Sequence, residues 1–266
     1  MGNERPFFNR TRLLLGDDKM KTLDKTRVII FGVGGVGSWC AEGLVRSGIG
    51  HLTIVDSDRV CITNVNRQMM ATSRTVGMVK VEALKERLLD INPDVDIESV
   101  QAIYSAETAS RFDLDSYDYV IDSIDSLKDK ITLILHATRS RAKLFSSMGA
   151  ALKVDPTKIE VAEFWKVHGC PLARMVRKRM KSRKEFPAKK FLCVFSPELL
   201  ENKGKASSCG TDRCVCPKSE KTEGDPSLAS HEWCSSKAQI NGTLMHITAM
   251  FGLTLAGLVL RDITKD

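Results

Sequence analysis

No apolar leader opens this sequence. Residues 1–10 mix charged, amide and ring side chains with no h-region, so no secretory signal is expected. An internal repeat is also missing, which excludes a solenoid or propeller. Net charge is scarce outside one block. Residues 174–190 carry nine Lys or Arg against a single acid, Glu185, a net +8, while the whole chain is +7, so the remainder sums to −1. A generally basic surface is therefore excluded. A local contact with a polyanion such as nucleic acid is expected instead, the alternative being a solvated helix face. Eight cysteines without a leader suit reduced thiols in a cytoplasm better than a disulfide framework. With 266 residues, 42% hydrophobic and 27% charged, the chain can bury a substantial core.

What the sequence does have is a glycine turn. Residues 28–31, Val-Ile-Ile-Phe, read as a short buried parallel strand. Gly32-x-Gly34-x-x-Gly37 follows at once, then a helical run over 39–46 closed by Gly48-Ile-Gly50. The first glycine allows the turn, the second admits a phosphate to the backbone, and the third lets helix pack on strand. Orphan amides at the helix start then point at the anion. A nucleotide is expected here, of a kind the glycines alone do not specify.

Residues 1–26 read as a polar helical arm. Further strands are expected at 51–55, 95–100, 117–124 and 143–148, with helices over 75–91, 107–112 and 128–139. This alternation implies an α/β fold, a Rossmann-like doubly wound, mostly parallel sheet. Past residue 150 the pattern changes. Residues 158–165 alternate like a half-exposed strand, 170–184 form a basic helix or loop, 192–195 a short strand, and 201–233 a polar crossover loop or lid. The sheet should thus be extended by antiparallel strands and closed by a C-terminal apolar helix. The whole chain, 1–266, is expected to be one domain: the arm, a nucleotide core over 27–150, and a substrate-side extension over 151–266. Residues 244–260 are uncharged and just long enough for a membrane span, but their Thr, His and Gly favour a buried terminal helix or dimer contact.

Asp56 lies 19 positions beyond Gly37, where a dinucleotide fold places its ribose-binding acid. Alone, that suits NAD as well as ATP. The loop that follows, from Asp56 and Asp58 through Asn64 to Arg67 and Gln68, is polar. Nicotinamide needs a flat apolar slot, whereas amides, a guanidinium and carboxylates suit ribose and phosphate. Lys80 can reach a phosphate as a point charge. Asp122 and Asp125, at i and i+3 on a strand end, can hold Mg²⁺ beside a phosphate or form an ordinary solvated turn with a helix N-cap.

Together, Gly32-x-Gly34-Gly35-x-Gly37, Asp56-x-Asp58, Asn64-x-x-Arg67-Gln68, Lys80 and Asp122-x-x-Asp125 resemble adenylating enzymes of the E1/ThiF/MoeB type across residues 27–150. The Arg-x-x-x-Leu-Gly-like arm, Gly37-Ser-Trp39, Val120-Ile-Asp-Ser-Ile-Asp125, and Cys234 followed by Thr-Ala-Met-Phe-Gly252 resemble, more narrowly, bacterial tRNA threonylcarbamoyladenosine dehydratases over nearly the whole chain. The resemblance implies an ATP- and Mg²⁺-dependent enzyme. The threonyl carboxylate of N6-threonylcarbamoyladenosine in tRNA would attack the α-phosphate of ATP and release pyrophosphate. Ring closure would then expel AMP, with net loss of one water. By the same resemblance the four glycines, Asp58 and Gln68 shape the nucleotide site, and Asp56 binds ribose. Asn64, Arg67 and Lys80 contact phosphates; Asp125 holds Mg²⁺ and Asp122 supports it. The polyanion expected at Arg174, Arg177, Lys178, Arg179, Lys181, Arg183 and Lys184 becomes tRNA. A homodimer is implied, with Arg67 serving its own or the neighbouring site, and a cysteine desulfurase or other sulfur-relay partner stays open.

Two rivals stay open beside it. An activator of a ubiquitin-like sulfur carrier would share the ATP site without needing the basic block. An NAD-binding oxidoreductase or nucleotide sensor would have no use for residues 64–68. Carrier-activating relatives often hold zinc with two Cys-x-x-Cys pairs, and this chain has none. Cys209, Cys214, Cys216, His231 and Cys234 could bind zinc, but their spacing is not the standard one, so loosely packed reduced thiols are expected over a metal site. Cys234 is expected to face the active site as an accessory thiol or a structural residue, and Cys40 to lie in the core.

Overall fold

The computed structural model describes residues 5–204, 224–228 and 241–265. Seven strands form one sheet: β1 (Arg27–Phe31), β2 (His51–Val55), β3 (Asp96–Val100), β4 (Tyr119–Asp122), β5 (Lys143–Ser147), β6 (Glu160–Glu163) and β7 (Leu192–Phe195). Their order is β3-β2-β1-β4-β5-β7-β6. Every neighbouring pair is parallel except β6, which runs antiparallel to β7. Among the described residues the expected antiparallel extension is therefore a single strand.

The unbroken apolar strands are explained by cover on both faces. Val28, Ile30, Leu52 and Ile54 point into one core, with α1 (Asn9–Lys25), α2 (Gly37–Ser47), α3 (Lys80–Ile91) and α6 (Met245–Thr264). Ile29, Phe31 and Val120 point into the other, with α4 (Leu127–Arg139) and α5 (Pro171–Arg183).

Two expected helices differ. The run over 75–91 starts only at Lys80, because Gly77 adopts φ +94° and Val79 bridges to Arg59. Residues 107–112 give one 3-10 turn, Ala109–Arg111, too short to propagate a helix.

The apolar C-terminal run is α6. It is long and apolar enough to cross a bilayer by length and composition, yet its Ile247, Phe251, Leu255 and Val259 are buried in the core. It lies along α2, where Gly43 faces Ala256 and Gly252 fits beneath the Val36 carbonyl and the Cys40 amide. A Cβ at residue 252 would collide with both backbone groups. In an open helix Gly→Ala gains up to about 1 kcal/mol. Here we expect Gly252→Ala to cost about 1–3 kcal/mol net, the usual toll of over-packing. A urea midpoint at or above wild type would show that the seam tolerates the methyl group.

Candidate nucleotide site

Between β1 and β4 the chain changes direction across the sheet, which opens a crevice at the strands' C-terminal ends. The glycine turn lines it. Gly37 begins α2 with its α-carbon against the Gly32 carbonyl, so closely that any side chain would clash. No side chain caps the first turn of α2. The Ser38 amide is taken by the Gly34 carbonyl at 3.2 Å, so an anion would be met by the other amides of the turn.

Asp56, at the end of β2, braces this turn. One carboxylate oxygen accepts from the Val33 amide at 2.8 Å and the other from the Asp58 amide at 2.9 Å. Each oxygen has a second lone pair for a ribose hydroxyl. Lys80 reaches back from α3 to Asp58 at 2.7 Å and Asp56 at 3.8 Å. Burial opposes the charge on Lys80, but Asp56 and Asp58, with Asp125 adding to them, outweigh it and raise its pKa. The ammonium therefore stays charged, aimed and buried. Burial is also the largest influence on Asp56, raising its pKa against the pull of Lys80.

The loop from Cys61 to Met70 closes one wall. Asn64 does not point outward: its Oδ1 accepts from the Cys61 amide at 2.9 Å and fixes the turn. The Trp39 indole donates to the Arg67 carbonyl at 3.0 Å, and Ser38 Oγ accepts from the Met69 amide at 3.2 Å. Both bonds staple the loop to α2. Arg67 Nη1 donates to the Thr63 carbonyl at 2.9 Å and to Asn66 Oδ1 at 3.0 Å, and its Cγ lies against Gly35 of its own chain. Gln68 is buried beside Gly34. Its Oε1 and the Ser123 Oγ are buried polar atoms with no hydrogen-bond partner among the described residues, and Ser123 abuts the same turn through its carbonyl at Gly32. Unsatisfied polar atoms beside an open glycine turn suit a polar ligand.

The two acids after β4 are not a symmetric pair. Asp125 is exposed and its charge is felt at Lys80. Asp122 is fully buried and turned inward. Its Oδ2 meets Lys130 Nζ at 2.8 Å and Ser146 Oγ at 2.7 Å, and its Oδ1 accepts from the Ile124 amide at 3.1 Å. Lys130 also donates to the Ile124 carbonyl at 2.9 Å. Asp122 and Lys130 thus hold the loop that carries Asp125. Sequence reasoning missed Lys130; the available signal was a lysine among Ile131, Leu133 and Ile134 on the buried side of α4.

Beyond the crevice, the basic block forms α5. Arg174, Lys178, Arg179, Lys181, Arg183 and Lys184 are exposed. Arg177 is half-buried and donates to the Phe164 carbonyl at 2.9 Å, so it anchors the helix. Cys40 is in the core as expected, and burial pushes its thiol and that of Cys193 up. Among the described residues no His, Cys, Asp and Glu cluster could hold a metal ion. Cys209, Cys214, Cys216, His231 and Cys234 lie outside the described residues.

Residues 8–266 match the ThiF family. The chain belongs to that family. It is 38% identical over 261 residues to the tRNA threonylcarbamoyladenosine dehydratase of Bacillus subtilis, covering 97% of this chain and 95% of that one. It is 34% identical to the Haemophilus influenzae protein of the same name, over 93% and 89% of the two chains. The ThiF fold described above superposes on the crystal structure of the Escherichia coli dehydratase, TcdA, in complex with ATP with a TM-score of 0.79, at 31% identity, over 97% of this chain and 94% of that one. The crevice built from β1, β4 and the uncapped start of α2 therefore belongs to a ThiF-family chain that runs nearly the full length of these relatives.

Proposed function

We propose that this protein is an ATP-dependent tRNA threonylcarbamoyladenosine dehydratase. The observation that carries the reading is the near full-length likeness, in sequence and in fold, to dehydratases of that name, one of them solved with ATP. The crevice supports it from below. The amides at the start of α2 and the side chain of Arg67 suit the phosphates, and Lys80 adds a buried positive charge beside them. Asp56 suits the ribose. Asp125 is the acid that would hold Mg²⁺, which when bound supplies charge neutralisation on the phosphates.

In the proposed reaction the threonyl carboxylate attacks the α-phosphorus and pyrophosphate leaves. The ureido group, held on the same molecule, then closes on the activated carbonyl and AMP leaves. In-line displacement at phosphorus asks the protein for positioning and charge. Ring closure is intramolecular, so a large effective molarity replaces any need for a protein nucleophile. The exposed cations of α5 suit the tRNA backbone.

Incubation with ATP, Mg²⁺ and tRNA bearing N6-threonylcarbamoyladenosine tests the reading. AMP and a nucleoside lighter by one water are expected. AMP formed only with a carrier protein would reassign the chain to sulfur-carrier activation, and neither product would end both readings. tRNA affinity should fall steeply with salt, with a slope of about −0.7 to −0.9 per neutralised phosphate. A flat dependence would remove α5 from the interface.

A further inference from the structure

Deepening the tRNA reading, on which it rests, we propose that Trp165 and Phe186 form a stacking platform for an unpaired base of the tRNA, remote from the adenosine being modified. Large aromatic side chains are normally covered, yet Trp165 is 39% and Phe186 51% exposed. They lie together, with ring centroids 6.1 Å apart and planes tilted by 46°.

The platform is built from beneath. Trp165 lies in the 3-10 turn Phe164–Lys166 that follows β6, and its amide donates to Glu163 Oε2 at 3.0 Å. Its ring rests edge-on against buried Phe164 at 5.1 Å, which stacks in turn on Phe191 at 5.0 Å. Arg177 locks this layer by its bond to the Phe164 carbonyl. Lys184, at φ +55°, ends α5 in the left-handed conformation, and the returning chain brings Phe186 to the tryptophan.

Charge selects the occupant. Lys181 Nζ lies 5.8 Å from the Trp165 ring centroid, and Lys166, Arg183 and Lys184 are exposed on the same two segments. Among the described residues the acids on these segments are engaged: Glu163 by the Trp165 amide, Glu160 by His168 at 3.8 Å, and Glu185 4.0 Å from Arg183. An apolar protein surface would have to strip water from these cations. An unpaired nucleotide offers a π-face to the rings and a phosphate to the lysines at once, as single-strand RNA sites require.

Topology separates this platform from the crevice. α5 starts at the C-terminal edge of the sheet, where Cys170 and Leu172 approach Gly149 after β5. Its 13 residues span about 20 Å toward the opposite edge. Glu163 pairs with Leu192 at the start of β7, so Trp165 is at that far edge. The base it takes is therefore a different one from the adenosine at the ATP crevice.

The test uses the full chain and tRNA bearing N6-threonylcarbamoyladenosine. Trp165→Ala should weaken tRNA binding about 5- to 150-fold, the range for loss of one stacked base, with ATP affinity and melting temperature retained. Trp165→Phe should recover most of the loss. The salt slope should match wild type, whereas Lys181→Ala should reduce it by about one. Ultraviolet cross-linking should map an RNA adduct to Trp165 or Phe186. Unchanged tRNA affinity in both Trp165→Ala and Phe186→Ala would overturn the platform and leave the patch to a protein partner. Failure of the wild-type chain to bind tRNA at all would instead sink the functional reading beneath it.

Discussion

Replacing Arg67 with alanine should lower the rate of AMP formation about 10³–10⁵-fold, the loss seen when a phosphate-clamping arginine is removed. The fold gives this variant a clean reading. The wall that carries Arg67 is held by the Trp39 indole on the residue's carbonyl oxygen, by the Asn64 side chain on the Cys61 amide, and by Ser38 on the Met69 amide. Alanine keeps that carbonyl and gives up the guanidinium's bonds to the Thr63 carbonyl and Asn66 Oδ1, which lie within the loop and do not tie it to α2. The loop should therefore stay in place, ATP should still bind, and the deficit should fall on the chemical step. Arg67→Lys keeps the charge without the fork and should recover only part of the rate. Single-turnover measurement of AMP, separated from ATP affinity, is the check. A rate within tenfold of wild type would remove Arg67 from the mechanism.

The second large effect is on stability. Lys130→Met is nearly isosteric, but it strips the ammonium from a carboxylate that has no solvent exposure. Asp122 would keep only Ser146 and the Ile124 amide. Breaking a buried ion pair by removing one partner costs about 3–5 kcal/mol, because the remaining charge is left in a medium that cannot solvate it. The variant should also loosen the segment bearing Asp125 and lower activity beyond what its stability loss explains. Adding Asp122→Asn removes the stranded charge and should return much of the stability. Urea unfolding of the two variants decides the matter. A loss below about 1 kcal/mol for Lys130→Met would mean that the pair contributes little.

The sheet and the glycine turn were legible because their signals are local. Four apolar residues running into Gly32-x-Gly34-x-x-Gly37 can bury themselves only as a covered strand feeding a turn. β2 and β7 fall within the residues their patterns indicate. The start of α3 was not legible. Val76 and Val79 fit the helical spacing, but Gly77 takes a conformation outside the helix and the chain bridges to Arg59. The Asp122–Lys130 pair was hidden for another reason. An acid after a strand and a lysine on a helix each look like solvent-facing residues, and only the packing of α4 on β4 and β5 brings them together. Asn64 likewise reads as a ligand-facing amide, and only the folded turn shows that its side-chain oxygen is engaged by the Cys61 amide. The aromatic pair on the far edge was invisible, since the two rings are some twenty positions apart in the chain.

The seam between α2 and α6 has a consequence for how the protein is made. α2 carries the nucleotide turn at its head, and Thr248 of α6 presses against Gly35 within that turn, yet α6 is synthesised about two hundred residues later. Contacts of such long range must first meet the entropy of closing the intervening chain. A ribosome releasing this chain therefore presents β1, β2 and α2 to the cell with the back of the glycine turn uncovered. Competence for ATP should arrive abruptly, once α6 has cleared the exit tunnel and docked, and not gradually as the earlier strands assemble.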